Sequence, residues 1–111
     1  MNAGQMFVDM RTYTLKNGNV GRFLALYEAE GLAVQTRILG RMLGYYHTDI
    51  GPLNQIVHMW GYGSMDDRWA RRKALQASDE WQAYAVQMRP LVDHIDNKIL
   101  IPAPFFTPAW P

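Results

Sequence analysis

The chain contains no cysteine. Disulfides, thiolate catalysis, iron–sulfur clusters and cysteine zinc sites are therefore excluded. No stretch approaches the ~18 apolar residues that cross a bilayer. The first residues, Met1-Asn2-Ala3-Gly4-Gln5, have neither the basic start nor the apolar core of a signal peptide. These absences read as a soluble, cytoplasmic protein without a membrane partner. Charge is scarce as well: 19% of residues are Asp, Glu, Lys or Arg, against about 25% in an average domain. The net charge is +1, too small for strong attraction to nucleic acid or anionic lipid.

What is present is apolar and aromatic. Hydrophobic residues make up 49% of the 111, with four Trp, six Tyr and four Phe. That supports one packed domain and leaves no room for two. A small domain with so little charge is expected to have part of its surface covered by a partner.

Phe7 to Thr14 is rich in β-branched and aromatic residues and reads as a strand, closed by the turn Lys16-Asn17-Gly18-Asn19. Asn19 suits a helix N-cap. Val20, Phe23, Leu24 and Tyr27 fall at helical spacing. Gly31 interrupts that helix and is read as a kink, and Gly40 ends it. Strands at Met42–Thr48 and Gln55–Tyr62 flank the turn-rich Asp49–Asn54, which predicts an antiparallel hairpin. Ser64 and Ser78, each followed by acids, are expected to cap two separate helices. Trp81, Tyr84, Ala85 and Met88 form the stripe of the second, and Pro90 closes it or sits in its last turn. A last strand covers Val92 to Ile101. The tail from Pro102 holds four of the six prolines, and its three aromatics suggest that part of it docks.

This order predicts an α+β fold. It is the ferredoxin-like split βαβ, a four-stranded antiparallel sheet with helices on one face. The other face has no cover, yet the strands bring apolar residues to both sides, as with Val8 and Met10 opposite Phe7 and Tyr13. Such a face is expected to meet its counterpart in a homodimer.

Strand alternation groups Asp9, Arg11 and Tyr13; Tyr45, His47 and Asp49; His58, Trp60 and Tyr62; and His94, Asp96 and Lys98. Two readings stand side by side. These groups line an apolar cavity between layers, the usual form of a small-molecule site, or they are ordinary core groups with their own hydrogen bonds. On the first reading Arg11, Tyr13, His47, His58 and Trp60 line the site. Arg11 holds an anionic group, histidine moves a proton and the aromatics give shape. Arg11 and His58 are expected to face the space between sheet layers, with Asp9 as the nearest acceptor for Arg11. No metal is expected, because the histidines lack a ligand pair at helical spacing, and no cofactor is implied. Ser64 and Ser78 are caps, not nucleophiles. The basic run Arg68-Trp69-Ala70-Arg71-Arg72-Lys73 reads as a solvated helix face.

Several segments resemble the NIPSNAP family: Asp9-Met10-Arg11-Thr12-Tyr13-Thr14-Leu15-Lys16-Asn17-Gly18, Gly51-Pro52-Leu53-Asn54-Gln55-Ile56-Val57-His58-Met59-Trp60, the following Asp67-Arg68 and Arg71-Arg72, and Asn97-Lys98-Ile99-Leu100-Ile101-Pro102. The resemblance implies a dimeric α+β barrel over residues 1–104, followed by a tail of residues 105–111. It carries no catalytic motif across. The expected function is a small homodimer that binds an apolar or aromatic molecule. The alternatives are a cofactor-independent monooxygenase or isomerase, and a non-catalytic interaction module.

Overall fold

The structure is a computed structural model and describes residues 6–109. Its strands are β1 (Phe7–Leu15), β2 (Arg41–His47), β3 (Gln55–Tyr62) and β4 (Val92–Leu100). They form one antiparallel sheet in the order β2-β3-β1-β4. A helical segment links β1 to β2, and α3 (Met65–Gln76) with α4 (Asp79–Met88) links β3 to β4. The two crossovers place every helix on the same face, giving the ferredoxin-like split βαβ.

The caps form as expected. The Ser64 hydroxyl accepts from the Asp67 amide at 3.0 Å and the Ser78 hydroxyl from the Trp81 amide at 3.2 Å. Asn19 sits at the N-cap of the first helix, but its side chain makes no capping bond.

The kink at Gly31 is a π-helical turn. The rod consists of α1 (Val20–Leu26), a π segment (Tyr27–Gly31) and α2 (Leu32–Leu39). The extra residue of a π turn shifts the side-chain register along the helix. Tyr27 turns onto the sheet, and Gly31 leaves space for α4. A Cβ at Gly31 would lie 2.8 Å from Tyr27 Cδ1 and 3.0 Å from Tyr84 Cζ.

The inner face of the sheet carries Phe7, Tyr13 and Leu15 of β1 and Ile56, Trp60 and Tyr62 of β3, all buried. Phe23, Tyr27, Val34, Leu39, Leu75, Trp81, Tyr84 and Met88 complete the core from the helices. The helix layer stops short of β4: Ile95 is 43% exposed and Asn97 is exposed. On the outer face, Met10, Val57 and Met59 are only half-buried and Tyr46 is exposed. The tail crosses one end of this face. Ile101, Pro102, Ala103, Phe106, Pro108 and Ala109 of the tail, with Val8, Leu43, Met59 and Leu100, bound an apolar groove of about 460 Å³. Phe106 lines the groove but is 57% exposed, and Phe105 is 93% exposed. Trp110 lies outside the described residues.

Helix propensity alone favours Ala over Gly by about 1 kcal/mol in a helix interior. At Gly31 the two tyrosine rings reverse that sign. Gly31→Ala is expected to lower the urea midpoint of unfolding; a raised midpoint would contradict this packing.

Candidate functional site

His58 stands at the middle of β3 on the inner face, 1% exposed. Its Nδ1 accepts a hydrogen bond from Trp60 Nε1 at 2.7 Å. The ring stacks on Tyr45, with centroids 4.8 Å apart, and meets Tyr13 edge-on at 4.9 Å. Tyr45 in turn stacks on Tyr27 at 4.5 Å. Burial, reinforced by the nearby Arg11 and Arg72 charges, pushes the imidazole pKa down to about 3. His58 is therefore neutral. With Nδ1 accepting from Trp60, the proton sits on Nε2. That Nε2 is buried and has no protein partner.

Beside it is a charged cluster. Asp9 is fully buried, and β1 places it opposite Trp60. Its Oδ1 accepts from Asn97 Nδ2 at 2.9 Å. Its Oδ2 accepts from Arg68 Nε at 3.1 Å and from Arg11 Nη1 at 3.4 Å. Burial opposes ionisation of Asp9, but the Asn97 hydrogen bond and the two guanidiniums outweigh it and hold the pKa below the usual value. Arg72 lies one turn beyond Arg68 on α3 and is half-buried. Burial and the Arg11 and Arg68 charges depress its pKa. The Tyr62 hydroxyl, within the field of all four charges, is buried without a hydrogen-bond partner.

On the β2 side lies a cavity of about 410 Å³, walled by Leu24, Ala25, Tyr27, Leu32, Met42 and Tyr45, with Glu28 as its charged lining residue. Burial raises the pKa of both tyrosines, so both are neutral phenols. The Tyr27 hydroxyl donates to Gln35 Oε1 at 2.6 Å.

Of the expected lining residues, Arg11, Tyr13, His58 and Trp60 are brought together on the inner face. Arg11 finds Asp9 as its acceptor. Two expectations need correction. Arg11 and His58 face the helices, not a second sheet, because each shares its side of the sheet with the core residues Tyr13, Ile56 and Trp60. His47 is not part of the cluster: it is exposed at the end of β2, opposite Ile56. His94, Asp96 and Lys98 are likewise separate, being exposed on the outer face, where His94 Nε2 lies 3.2 Å from Asp96. The basic run is also not one solvated face. Arg71 bonds Asp67 at 2.8 Å and the Ile38 carbonyl at 3.1 Å, closing the end of α2, while Arg68 and Arg72 point to the sheet. Tyr27, Gln35 and Tyr84 were legible only as helix positions. Among the described residues, no group of three or more His, Asp or Glu side chains could hold a metal, and no helix is long and apolar enough to cross a membrane.

The buried neutral His58 makes stability pH-dependent. An unfolded histidine takes up a proton below about pH 6.5, whereas the folded one resists down to about 3. The unfolded state therefore binds more protons in this window, and stability falls as pH falls through it. Asp9 acts lower, its contribution being complete above 3.8 and lost as pH drops through its depressed folded value. Urea unfolding between about pH 6.5 and 5 is expected to show a loss approaching ~1.4 kcal/mol per pH unit. His58→Phe should flatten that slope; an unchanged slope in the variant would place the proton uptake elsewhere.

The family model for NIPSNAP matches residues 8–107. The chain is 31% identical over 94 residues to the NipSnap homolog of Dictyostelium discoideum, covering 85% of this chain and 41% of that protein. It thus spans about two fifths of the length of that curated relative. Among solved structures, it is similar to a NIPSNAP family protein from Agrobacterium tumefaciens, with 44% identity, TM-score 0.89 and 91% and 96% of the two chains covered. A NIPSNAP-like domain protein from Burkholderia xenovorans gives 45% identity and TM-score 0.92, over 97% and 93% of the chains. A protein from Nitrosomonas europaea, provisionally named an antibiotic biosynthesis monooxygenase, shares the fold at 13% identity and TM-score 0.69, over 96% and 99% of the chains. The match runs from β1 through β4 and into the tail, across the sheet that carries Asp9, Arg11 and His58: the chain belongs to the NIPSNAP family.

Proposed function

We propose that this protein is a homodimeric small-molecule binder that takes an apolar or aromatic ligand between sheet and helices. The observation that carries the ligand is the cavity at Tyr27 and Tyr45. Its volume of about 410 Å³ falls within the usual range of small-molecule sites, about 300–1,000 Å³. Two stacked rings and aliphatic side chains wall it, and the Tyr27 hydroxyl is already engaged by Gln35, so the lining is mostly apolar. The dimer rests on the outer face, where no helix packs, Tyr46 is exposed and Met10 and Val57 are only half-buried. A second copy of the same face supplies cover with twofold symmetry.

Binding is favoured over chemistry because His58 is a poor proton carrier. A base with a pKa of about 3 is far from the value near working pH that general base catalysis needs. The imidazole acts here as a hydrogen-bond group.

N-phenyl-1-naphthylamine, a neutral fluorescent aromatic amine, is a suitable probe. It is expected to bind saturably, about one per chain on the cavity's size. Ala25→Trp places an indole in the cavity from a surface position and is expected to abolish binding while preserving the melting temperature. Equal binding by that variant would place the probe elsewhere and overturn the site. Light scattering is expected to give twice the 12.8 kDa chain mass at micromolar concentration; a stable monomer would contradict the dimer.

A further inference from the structure

We propose that Arg72, with Arg11, the Tyr62 hydroxyl and the His58 Nε2–H, forms a site for the oxyanion group of a small molecule, a carboxylate or a phosphate, where α3 meets β1 and β3. The site does not depend on the Tyr27 and Tyr45 cavity, which opens at β2.

Charge is the first support. Arg11, Arg68 and Arg72 are gathered around one carboxylate, Asp9. Both oxygens of Asp9 are committed, Oδ1 to Asn97 and Oδ2 to Arg11 and Arg68. Arg72 makes no hydrogen bond or ion pair among the described residues and is half-buried. Withdrawing a guanidinium from water without an acceptor is costly. With His58 neutral, three positive charges face one negative charge, an excess of two that suits a singly or doubly charged anion.

The unpartnered atoms are the second support. The described residues leave two buried side-chain polar atoms without a hydrogen bond, His58 Nε2 and the Tyr62 oxygen. Trp60 occupies Nδ1 of His58, so the free nitrogen is a donor. The Tyr62 hydroxyl can donate as well. Both lie within the field of the Arg11 and Arg72 charges. Each open group thus has a proton to give, and what the cluster lacks is an acceptor. Water satisfies neutral donors, but it does not neutralise the guanidinium.

Access is the third. The helix layer ends before β4, and Asn97, which bonds Asp9, is exposed beside the cluster. The side chains of Arg11 and Arg68 keep 11% and 15% exposure. A ligand can enter from the β4 edge.

The test is calorimetry at constant ionic strength with inorganic phosphate and with benzoate, on the wild-type chain and on Arg72→Gln. Wild type is expected to bind at least one of them saturably, with Kd at or below about 1 mM. Tighter phosphate identifies a dianionic group, and tighter benzoate a carboxylate on an apolar body; both support the site. Arg72→Gln breaks no hydrogen bond among the described residues. It is expected to melt at or above wild type without anion, and to lose at least about tenfold in affinity, the value of one modest charge-assisted contact. Tyr62→Phe is expected to weaken binding to a smaller degree. The proposal is overturned if neither anion saturates wild type, or if Arg72→Gln binds as tightly. It is also overturned if Arg72→Gln melts well below wild type, since Arg72 would then hold a structural partner.

Discussion

The buried carboxylate of Asp9 is the constraint around which the interior is arranged. A charge at 0% exposure is tolerated only when paired and hydrogen-bonded. Asp9 meets that demand by drawing on three elements at once: its own strand through Arg11, β4 through Asn97 and α3 through Arg68. The sheet edge and the helix layer are thereby tied to the central strand by polar contacts that bring further positive charge inward. That charge in turn helps keep His58 neutral. A neutral His58 can stack on Tyr45 and accept from Trp60 with no counter-ion of its own.

The aromatic half of the interior follows from the helix break. A continuous α-helix from Val20 to Leu39 would rotate Tyr27 and Gln35 relative to each other. The π turn brings the Tyr27 ring over Tyr45 while its hydroxyl reaches Gln35. The same turn opens the apolar cavity beside β2. Polar and apolar features thus lie on the two sides of His58. The low pKa of the imidazole leaves it little capacity for proton transfer.

Much of the architecture was legible in the sequence because it is encoded locally. Ser64 and Ser78 announce their helices through cap chemistry, β3 alternates from Gln55 to Trp60, and the kink is marked by Gly31. The Arg11–Asp9 pair was legible too, since two residues on one strand share a face. The inward turn of Arg68 and Arg72 was not. Arginines one turn apart on a polar helix look like a solvated stripe, and the carboxylate that draws Arg68 in is 59 residues away. His47 misled for the opposite reason: alternation assigned its face correctly, but the covering layer does not reach the end of β2. The tail's contact with the outer face was visible only as a cluster of prolines and aromatics, which carries no register.

Nitrogen-15 NMR of the His58 imidazole at about pH 6, below the ordinary histidine pKa, reads the centre of this arrangement directly. The expected spectrum is a neutral ring protonated at Nε2, with Nδ1 showing the shift of a hydrogen-bond acceptor. An imidazolium, or a ring protonated at Nδ1, would contradict the Trp60 hydrogen bond and the uncompensated positive charge beside it.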